Sequence, residues 1–165
     1  MLPAALALAL LPAPPADAAV VSISDAPAAA EEAGAIRWRS DFRAAHAEAA
    51  RTGKPLLLLF GAEWCVYCHK QTDETLSDPA LVARINASFV PVRLDYDADA
   101  KLAEVLEVET LPQAVFLSPK ADLLGRAAGF HNVGQFGGVM ATARGTFRRV
   151  NAARLAAAPT GTATL

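Results

Sequence analysis

The spacing of apolar residues changes along this chain, and from about residue 35 onward it predicts a succession of helices and strands. Phe42 and several alanines recur at helical spacing up to about Arg51. Ser40-Asp41 can cap the start of this helix, and Gly53, followed two residues later by Pro55, can end it. The unbroken apolar run Leu56–Phe60 is too short for a globular helix and predicts a strand buried on both faces. Such a strand implies a parallel or mixed sheet covered by helices.

The sequence after this strand predicts a helix over residues 65–76. One side of it faces the core and carries Cys65, Cys68, Thr72 and Leu76. The other side is polar and carries Lys70, Gln71, Asp73 and Glu74. Cys65 is therefore expected at the helix N-terminus, and Cys68 is expected one turn further in and more deeply buried.

Helix caps and apolar runs alternate through the rest of the chain. They predict a helix opened by Asp78-Pro79, a strand over 89–96 with Pro91 at its beginning or on an edge, a short helix from Asp97 or Asp99 to about Leu106, strands over 114–117 and 123–130, and a last helix from Asn132 toward Thr146. This alternation predicts an α/β fold.

Both ends of the chain differ in composition from its middle. Residues 1–18 hold the apolar run Leu2–Leu11 and then Ala16-Asp17-Ala18, which is typical of a cleavable export signal, although no basic residue precedes the run. The run is too short and too interrupted by proline to span a bilayer. The predicted organisation is a signal peptide 1–18, an Ala/Pro-rich linker 19–35, one domain 36–146 and an Ala-rich tail 147–165.

The charges are nearly balanced, with 15 basic and 17 acidic residues. Because neither sign dominates, the sequence offers no single-sign field for a nucleic acid, and no nucleic-acid partner is predicted. With the export signal, the prediction is a periplasmic or secreted protein that does not span the membrane. Disulfides form and persist in such a compartment.

Both cysteines of the chain, Cys65 and Cys68, are separated by two residues at the start of the predicted helix, and His69 follows directly. This pattern suits a redox dithiol, half of a metal site or a covalent haem anchor. A helix N-terminus offers unsatisfied N–H groups and about half a positive charge, which stabilise a thiolate. Cys65 is thus the predicted nucleophile, and Cys68 resolves the mixed disulfide. His69 either holds a proton near Cys65 or is a solvated surface residue.

Two segments carry a family resemblance. The sequence Ala62–Cys68 after a buried strand, and Thr110-Leu111-Pro112 before another, resemble the thioredoxin superfamily over residues 36–146. Within that superfamily, the chain resembles exported domains similar to the C-terminal domain of the bacterial inner-membrane protein that carries reductant to the periplasm. The resemblance implies a thioredoxin fold, with a central mixed β-sheet flanked by helices on both faces.

The resemblance also implies an activity and a site. It implies a thiol-disulfide oxidoreductase with Cys65 and Cys68 as its catalytic pair and no cofactor besides their redox-active disulfide. Pro112 would be a cis proline that contacts substrate together with Leu111, and Trp64 would form a wall beside the dithiol. The implied partners are protein disulfides or dithiols and an upstream membrane dithiol donor.

The chain departs from the best-known thioredoxins at two places. Leu59 stands where those proteins carry a buried acid that relays a proton to the resolving cysteine, and Glu63 is the nearest acid in sequence. Val66-Tyr67, between the cysteines, matches neither the cytosolic reductases nor the strong periplasmic oxidases. The direction of electron flow therefore cannot be read from the motif, and reduction is preferred only because of the resemblance.

Three other interpretations remain open. A haem needs a second axial ligand, for which Met140 or His131 is available, but cytochromes of that class are chiefly helical. A structural zinc site needs four ligands, and only His46 and His131 could complete one, so no metal is predicted. The domain could also be a non-catalytic binding module with a structural disulfide, although so short a loop gains little stability from closure.

Overall fold

The computed structural model describes residues 34–157. The predicted signal peptide 1–18, nearly all of the predicted linker 19–35 and residues 158–165 of the predicted tail lie outside the described residues. Within the described part, no helix is both long and apolar enough to cross a membrane.

A four-stranded mixed sheet forms the centre of the fold, with the strand order β2-β1-β3-β4. The strands are β1 Leu56–Gly61, β2 Val90–Asp95, β3 Gln113–Leu117 and β4 Leu123–Ala128. β1 pairs in parallel with β2 and antiparallel with β3, which in turn pairs antiparallel with β4. The predicted strand at 56–60 therefore lies inside the sheet, where its continuous apolar run is buried on both faces.

Helices cover both faces of this sheet. They are α1 Phe42–Thr52, α2 Val66–Lys70, α3 Pro79–Ser88, α4 Ala100–Val105 and α5 Val133–Ala157, and one π-helical turn, Gln71–Thr75, continues α2. Alternate residues of β1 enter different cores: Leu57 and Leu59 pack in the cluster that includes α3 and α5, whereas the cluster of Leu56, Leu58 and Phe60 includes α1 and α4 residues. The predicted mixed sheet with helices on both faces is confirmed.

The predicted helix caps are present as hydrogen bonds. The Asp41 carboxylate accepts from the N–H of Ala44 at 2.7 Å, and the Asp78 carboxylate accepts from the N–H of Leu81 at 2.8 Å. Gly53 ends α1 with a φ of 69°, a left-handed conformation that costs glycine little. These three positions set where α1 and α3 begin and α1 ends.

The outer edge of β2 is shielded from further strand pairing. Pro91 is the second residue of β2, as expected for a proline on an edge strand, because it has no N–H to donate. Arg39, from the segment before α1, forms a short bridge along this edge. Its N–H donates to the Pro91 carbonyl at 2.9 Å, and its carbonyl accepts from the N–H of Arg93 at 2.9 Å.

The last helix is longer than the sequence predicts. α5 continues past Thr146 to Ala157, so residues 147–157 of the predicted tail are helical. Arg154 ties this part to the β3–β4 turn, because its Nη2 donates to Asp122 Oδ1 at 2.6 Å. Asp122 also accepts a hydrogen bond from the Ser118 hydroxyl. The bond from Arg154 and the bond from Ser118 together lower the pKa of Asp122.

We expect Asp122→Asn to destabilise the protein by about 1 kcal/mol at pH 7, because the charged hydrogen bond to Arg154 is lost from a partly exposed site. A carboxyl group whose pKa is lowered in the folded state contributes stability above its unfolded pKa of about 3.9. That contribution is lost as the pH falls through the lowered pKa. Urea titrations of both proteins from pH 7 to pH 2.5 should therefore converge at the acid end.

Glu107→Gln is the matched control, because Glu107 pairs with Arg126 at 2.8 Å but its side chain is 70% exposed. This variant should lose less stability than Asp122→Asn. A difference between Asp122→Asn and the unmodified protein that stays constant down to pH 2.5 would contradict the assignment.

Candidate active site

Cys65 and Cys68 are joined by a disulfide, with their Cα atoms 5.2 Å apart. β1 ends at Gly61, and the chain then passes through Ala62, Glu63 and Trp64 to Cys65, which caps α2. Gly61 lies close to the pair: a Cβ there would stand 3.5 Å from the Cβ and the Sγ of Cys68. The central strand thus delivers the disulfide to the end of the sheet next to a helix N-terminus.

The sulfur of Cys65 is hydrogen-bonded to this helix. Cys65 is in an extended conformation just before α2, and its Sγ accepts from the N–H of Cys68 at 3.1 Å. The predicted place of Cys65 at the helix N-terminus is confirmed. An N–H donor and the partial positive charge of the helix end both favour a thiolate over a thiol at this sulfur.

The predicted difference in burial between the cysteines is wrong. Cys65 is only 6% exposed, whereas Cys68 is partly exposed. The two cysteines also line different cavities. Cys65 lies in a groove among aromatic side chains, and Cys68 borders a cavity beside β1. The cysteine one turn further into the helix is therefore not the more buried of the two.

The groove at Cys65 has a volume of about 450 Å³ and a mainly apolar lining, formed by Trp64, Cys65, Val66, Tyr67, Tyr96, Glu109 and Leu111. Trp64 is 66% exposed, and its indole N–H donates to Asp97 Oδ2 at 2.9 Å. This bond holds one edge of the ring while its faces stay open. The structure thus brings together four residues that the sequence singled out: Trp64, Val66, Tyr67 and Leu111.

The cavity at Cys68 has a volume of about 350 Å³. Its walls include Leu59 and Pro112, and the Leu111–Pro112 peptide is cis, as the resemblance implied. Leu59, which stands at the position where the best-known thioredoxins carry a buried acid, forms part of this wall. Arg93, which sequence reasoning missed, is the register partner of Leu59 on β2 and lines the same cavity. Its signal was a lone basic residue within the apolar strand sequence VPVRL.

His69 is bound to the loop that precedes the disulfide. Its Nε2 lies 2.8 Å from the carbonyl oxygen of Glu63, which can only accept, so Nε2 carries the proton. The Glu63 side chain is exposed and borders the Cys68 cavity. The hydrogen bond found for His69 therefore fixes the Glu63 backbone and is not made to the Cys65 sulfur.

The helix after the disulfide is not the regular helix predicted over residues 65–76. The π-helical turn shifts the side chains, so Gln71, predicted on the polar side, is only 1% exposed. Gln71 Oε1 accepts from the N–H of His131 at 2.8 Å, and the Thr75 hydroxyl donates to the His131 carbonyl at 2.7 Å. These two bonds fasten the segment before α5 to the helix that carries Cys68.

Of the two residues named as a second haem ligand, one is enclosed in the core. Met140 is buried in the hydrophobic core, whereas Nδ1 of His131 donates to the Gly129 carbonyl at 2.9 Å. Thioether attachment needs both cysteine sulfurs, and these are bonded to each other. Among residues 34–157, no group of three or more His, Cys, Asp or Glu side chains is arranged to hold a metal ion.

Comparisons with known proteins agree with this geometry. A family model described as thioredoxin-like matches residues 37–119. The thiol:disulfide interchange protein DsbD of Pectobacterium atrosepticum is 32% identical over 92 residues, which are 53% of this chain and 16% of DsbD. The chain therefore spans about a sixth of the length of that curated relative.

Two solved structures share the fold. A thioredoxin from Thermus thermophilus has a TM-score of 0.57 and 29% identity, with 70% of this chain and 87% of that one covered. A DsbH oxidoreductase has a TM-score of 0.58 and 19% identity, with 67% of this chain and 85% of that one covered. Both likenesses extend over most of the solved chain.

We expect Gln71→Leu to destabilise the protein by about 1–3 kcal/mol, because it leaves the N–H of His131 without its partner. Thr75→Val should have a similar effect through the His131 carbonyl. Since both bonds hold one residue, a double-mutant cycle by urea unfolding should give a coupling of at least about 0.5 kcal/mol. Thr142→Val, which removes an exposed hydroxyl bond within α5, is the control and should change little. If the stability losses of Gln71→Leu and Thr75→Val were strictly additive, the two hydrogen bonds would not act together on His131.

Proposed function

This chain belongs to the thioredoxin-like family, and on that basis we propose that it is a protein thiol-disulfide oxidoreductase whose Cys65–Cys68 pair exchanges disulfides with exported proteins. The predicted superfamily and fold are confirmed by the family match and by the likeness to the Thermus thermophilus thioredoxin. The relative DsbD is named a thiol:disulfide interchange protein, and this activity is the one that the resemblance to the thioredoxin superfamily implies. The single observation that carries the proposal is the disulfide at a helix N-terminus, with a backbone N–H on the Cys65 sulfur.

The proposed reaction begins with the reduced pair. The Cys65 thiolate attacks one sulfur of a substrate disulfide, forms a mixed disulfide and releases the other substrate sulfur as a thiolate, which takes up a proton. Cys68, after losing its proton, attacks the Cys65 sulfur and releases the second substrate thiolate. The substrate gains two electrons, and the Cys65–Cys68 disulfide forms again. The pair itself carries the electrons, so the proposed reaction uses no bound cofactor.

The groove at Cys65 is the proposed substrate site. Val66 and Tyr67 are exposed beside Trp64, so an extended peptide can cover apolar surface on both sides of the reactive sulfur. Leu111 borders this groove, and Pro112 borders the cavity at Cys68. The Leu111–Pro112 peptide therefore lies between the groove at Cys65 and the cavity at Cys68. Glu63 and His69 are proposed to tune the site by fixing the loop that places Trp64.

The proposed direction is reduction of partner disulfides in the periplasm or outside the cell. It is supported by the relation to DsbD and by the predicted export signal. A reductase in an oxidising compartment needs a source of electrons, since the periplasm is kept oxidising. We propose that a membrane dithiol protein supplies them to the Cys65–Cys68 disulfide.

We expect Cys65→Ser to abolish exchange and Cys68→Ser to accumulate mixed disulfides, because only the first sulfur can attack and only the second can resolve. The measurement is incubation of the reduced variants with a disulfide-bonded protein such as insulin, followed by non-reducing gels and mass spectrometry. The variant without both cysteines is the control. Since Cys68 is the more exposed sulfur, trapping by Cys65→Ser alone would reverse the two roles.

We expect the reduction potential of the pair to lie near that of thioredoxin, about -270 mV, if the protein is a reductase. Equilibration with glutathione buffers, followed by alkylation and mass analysis, measures it. A value near about -120 mV would make the protein an oxidant and overturn the proposed direction. A pair that never exchanges would overturn the enzyme and leave a binding module.

A further inference from the structure

Two residues that face each other across β1 and β2 line the cavity at Cys68: the cation Arg93, and Leu59, which stands at the position where the best-known thioredoxins carry a buried acid. Arg93 on β2 is the register partner of Leu59 on β1, and both residues line the cavity together with Cys68. Leu59 supplies neither a charge nor a proton acceptor. Beside the second sulfur, β1 therefore contributes the apolar Leu59, and β2 contributes Arg93 together with Asp95.

Hydrogen bonds direct Arg93 toward the helix that carries Cys68. Its Nη2 donates to Thr72 Oγ1 at 2.9 Å, and the Thr72 hydroxyl donates to the Cys68 carbonyl at 3.0 Å. On another side, the guanidinium carbon of Arg93 lies 5.2 Å from the centroid of the Trp38 ring. Thr72 and Trp38 thus hold the guanidinium in place, and a two-bond chain connects it to Cys68.

The charge of Arg93 has no carboxylate partner within the described part of the chain. The ion pairs found there use Arg39, Lys70, Arg126 and Arg154. Desolvation lowers the pKa of the Arg93 guanidinium, but an arginine remains protonated at any pH at which thiols titrate. A fixed, unpaired cation at the cavity wall favours any anion that forms there.

We propose that Arg93 stabilises the thiolate of Cys68 and thereby promotes the resolving step without a buried acid. The proposal rests on the proposed exchange reaction for its purpose, but the interaction itself concerns only Arg93 and Cys68. In the resolving step the Cys68 thiol gives its proton to water in the open cavity. Its thiolate then attacks the Cys65 sulfur, and the departing substrate sulfur takes the bonding electrons.

The other ionisable groups at this cavity do not replace Arg93. Glu63 and Asp95 also line it, and both residues, like Arg93, are exposed to solvent. Asp95 Oδ1 already accepts from the backbone N–H groups of Asp97 and Ala98, at 3.0 and 2.9 Å. His69 lines the cavity too, but its Nε2 proton is given to the Glu63 carbonyl. None of these groups shares the position of Arg93 opposite Leu59.

The test measures Cys68 directly, in a Cys65→Ser background that leaves one thiol. The rate of alkylation by iodoacetamide is recorded from pH 5 to pH 10, and the midpoint of the profile reports the formation of the thiolate. We expect Arg93→Met to lower the rate at pH 7 by about tenfold and to move the midpoint to higher pH. Arg93→Lys, which keeps the charge, should restore most of the rate.

Arg43→Met is the matched control, because it removes the same charge from the exposed face of α1. It should leave the profile unchanged. Near-ultraviolet circular dichroism checks that the packing around Trp38 survives in Arg93→Met, and Arg93→Lys provides a second reading if it does not. An unchanged profile in Arg93→Met, or an equal shift in Arg43→Met, would overturn the proposal.

Leu59→Asp gives a second reading, because it places a carboxylate opposite Arg93 and beside Cys68. With Arg93 present the carboxylate is paired, so alkylation of Cys68 should slow less in Leu59→Asp than in the double variant Leu59→Asp/Arg93→Met, and equal slowing in the two would overturn the proposal. These measurements use no protein substrate. Failure of the proposed function would appear as absent insulin reduction by the unmodified pair, whereas failure of this inference would appear in the alkylation profiles alone.

Discussion

The rest of the structure depends on one constraint: the apolar run Leu56–Phe60 must be completely buried. A five-residue apolar run has backbone groups along both edges and side chains on both faces, and each must be covered. β2 and β3 satisfy the edges, and the two hydrophobic clusters cover the faces. Each buried leucine contributes roughly 1.5–3 kcal/mol, so few other segments of this length hold as much of the folding free energy.

The chemistry of the site follows from the end of this strand. The chain leaves the sheet at Gly61, beside Cys68, and the turn into α2 then aims a backbone N–H at the Cys65 sulfur. The helix end acts on one sulfur, and the cavity beside β1 surrounds the other. The two cysteines, though bonded, therefore experience different electrostatic environments, and a disulfide exchange needs that difference because one sulfur must attack before the other.

Local signals predicted the fold well. Asp41, Gly53 and Asp78 act through neighbours within a few residues, so the sequence specifies the helix ends they make. Cys65 was placed correctly for the same reason. The β1 strand was recognised because its apolar run was unbroken, and its environment followed from that alone.

What the sequence missed depends on distant partners. Gln71 is buried where it accepts a hydrogen bond from the N–H of His131, far along the chain, and no helical periodicity contains that information. The alanines after Thr146 predict a tail, but this segment is helical. Alanine is the best helix former, and Arg154 donates a hydrogen bond to a carboxylate at the β3–β4 turn. The place of Arg93 at the cavity beside Cys68 depends on the strand register that sets it opposite Leu59, and the sequence alone does not give this register.

The covered edge of β2 bears on how copies of this protein meet one another. An open strand edge is a template on which another chain can add a strand and begin an aggregate. Here a proline removes one donor, and the bridge at Arg39 occupies the neighbouring carbonyl and N–H. Within the described residues, crowded molecules therefore find no free ladder at this bridge, so the edge of β2 does not add a second adhesive surface to the apolar groove at Cys65.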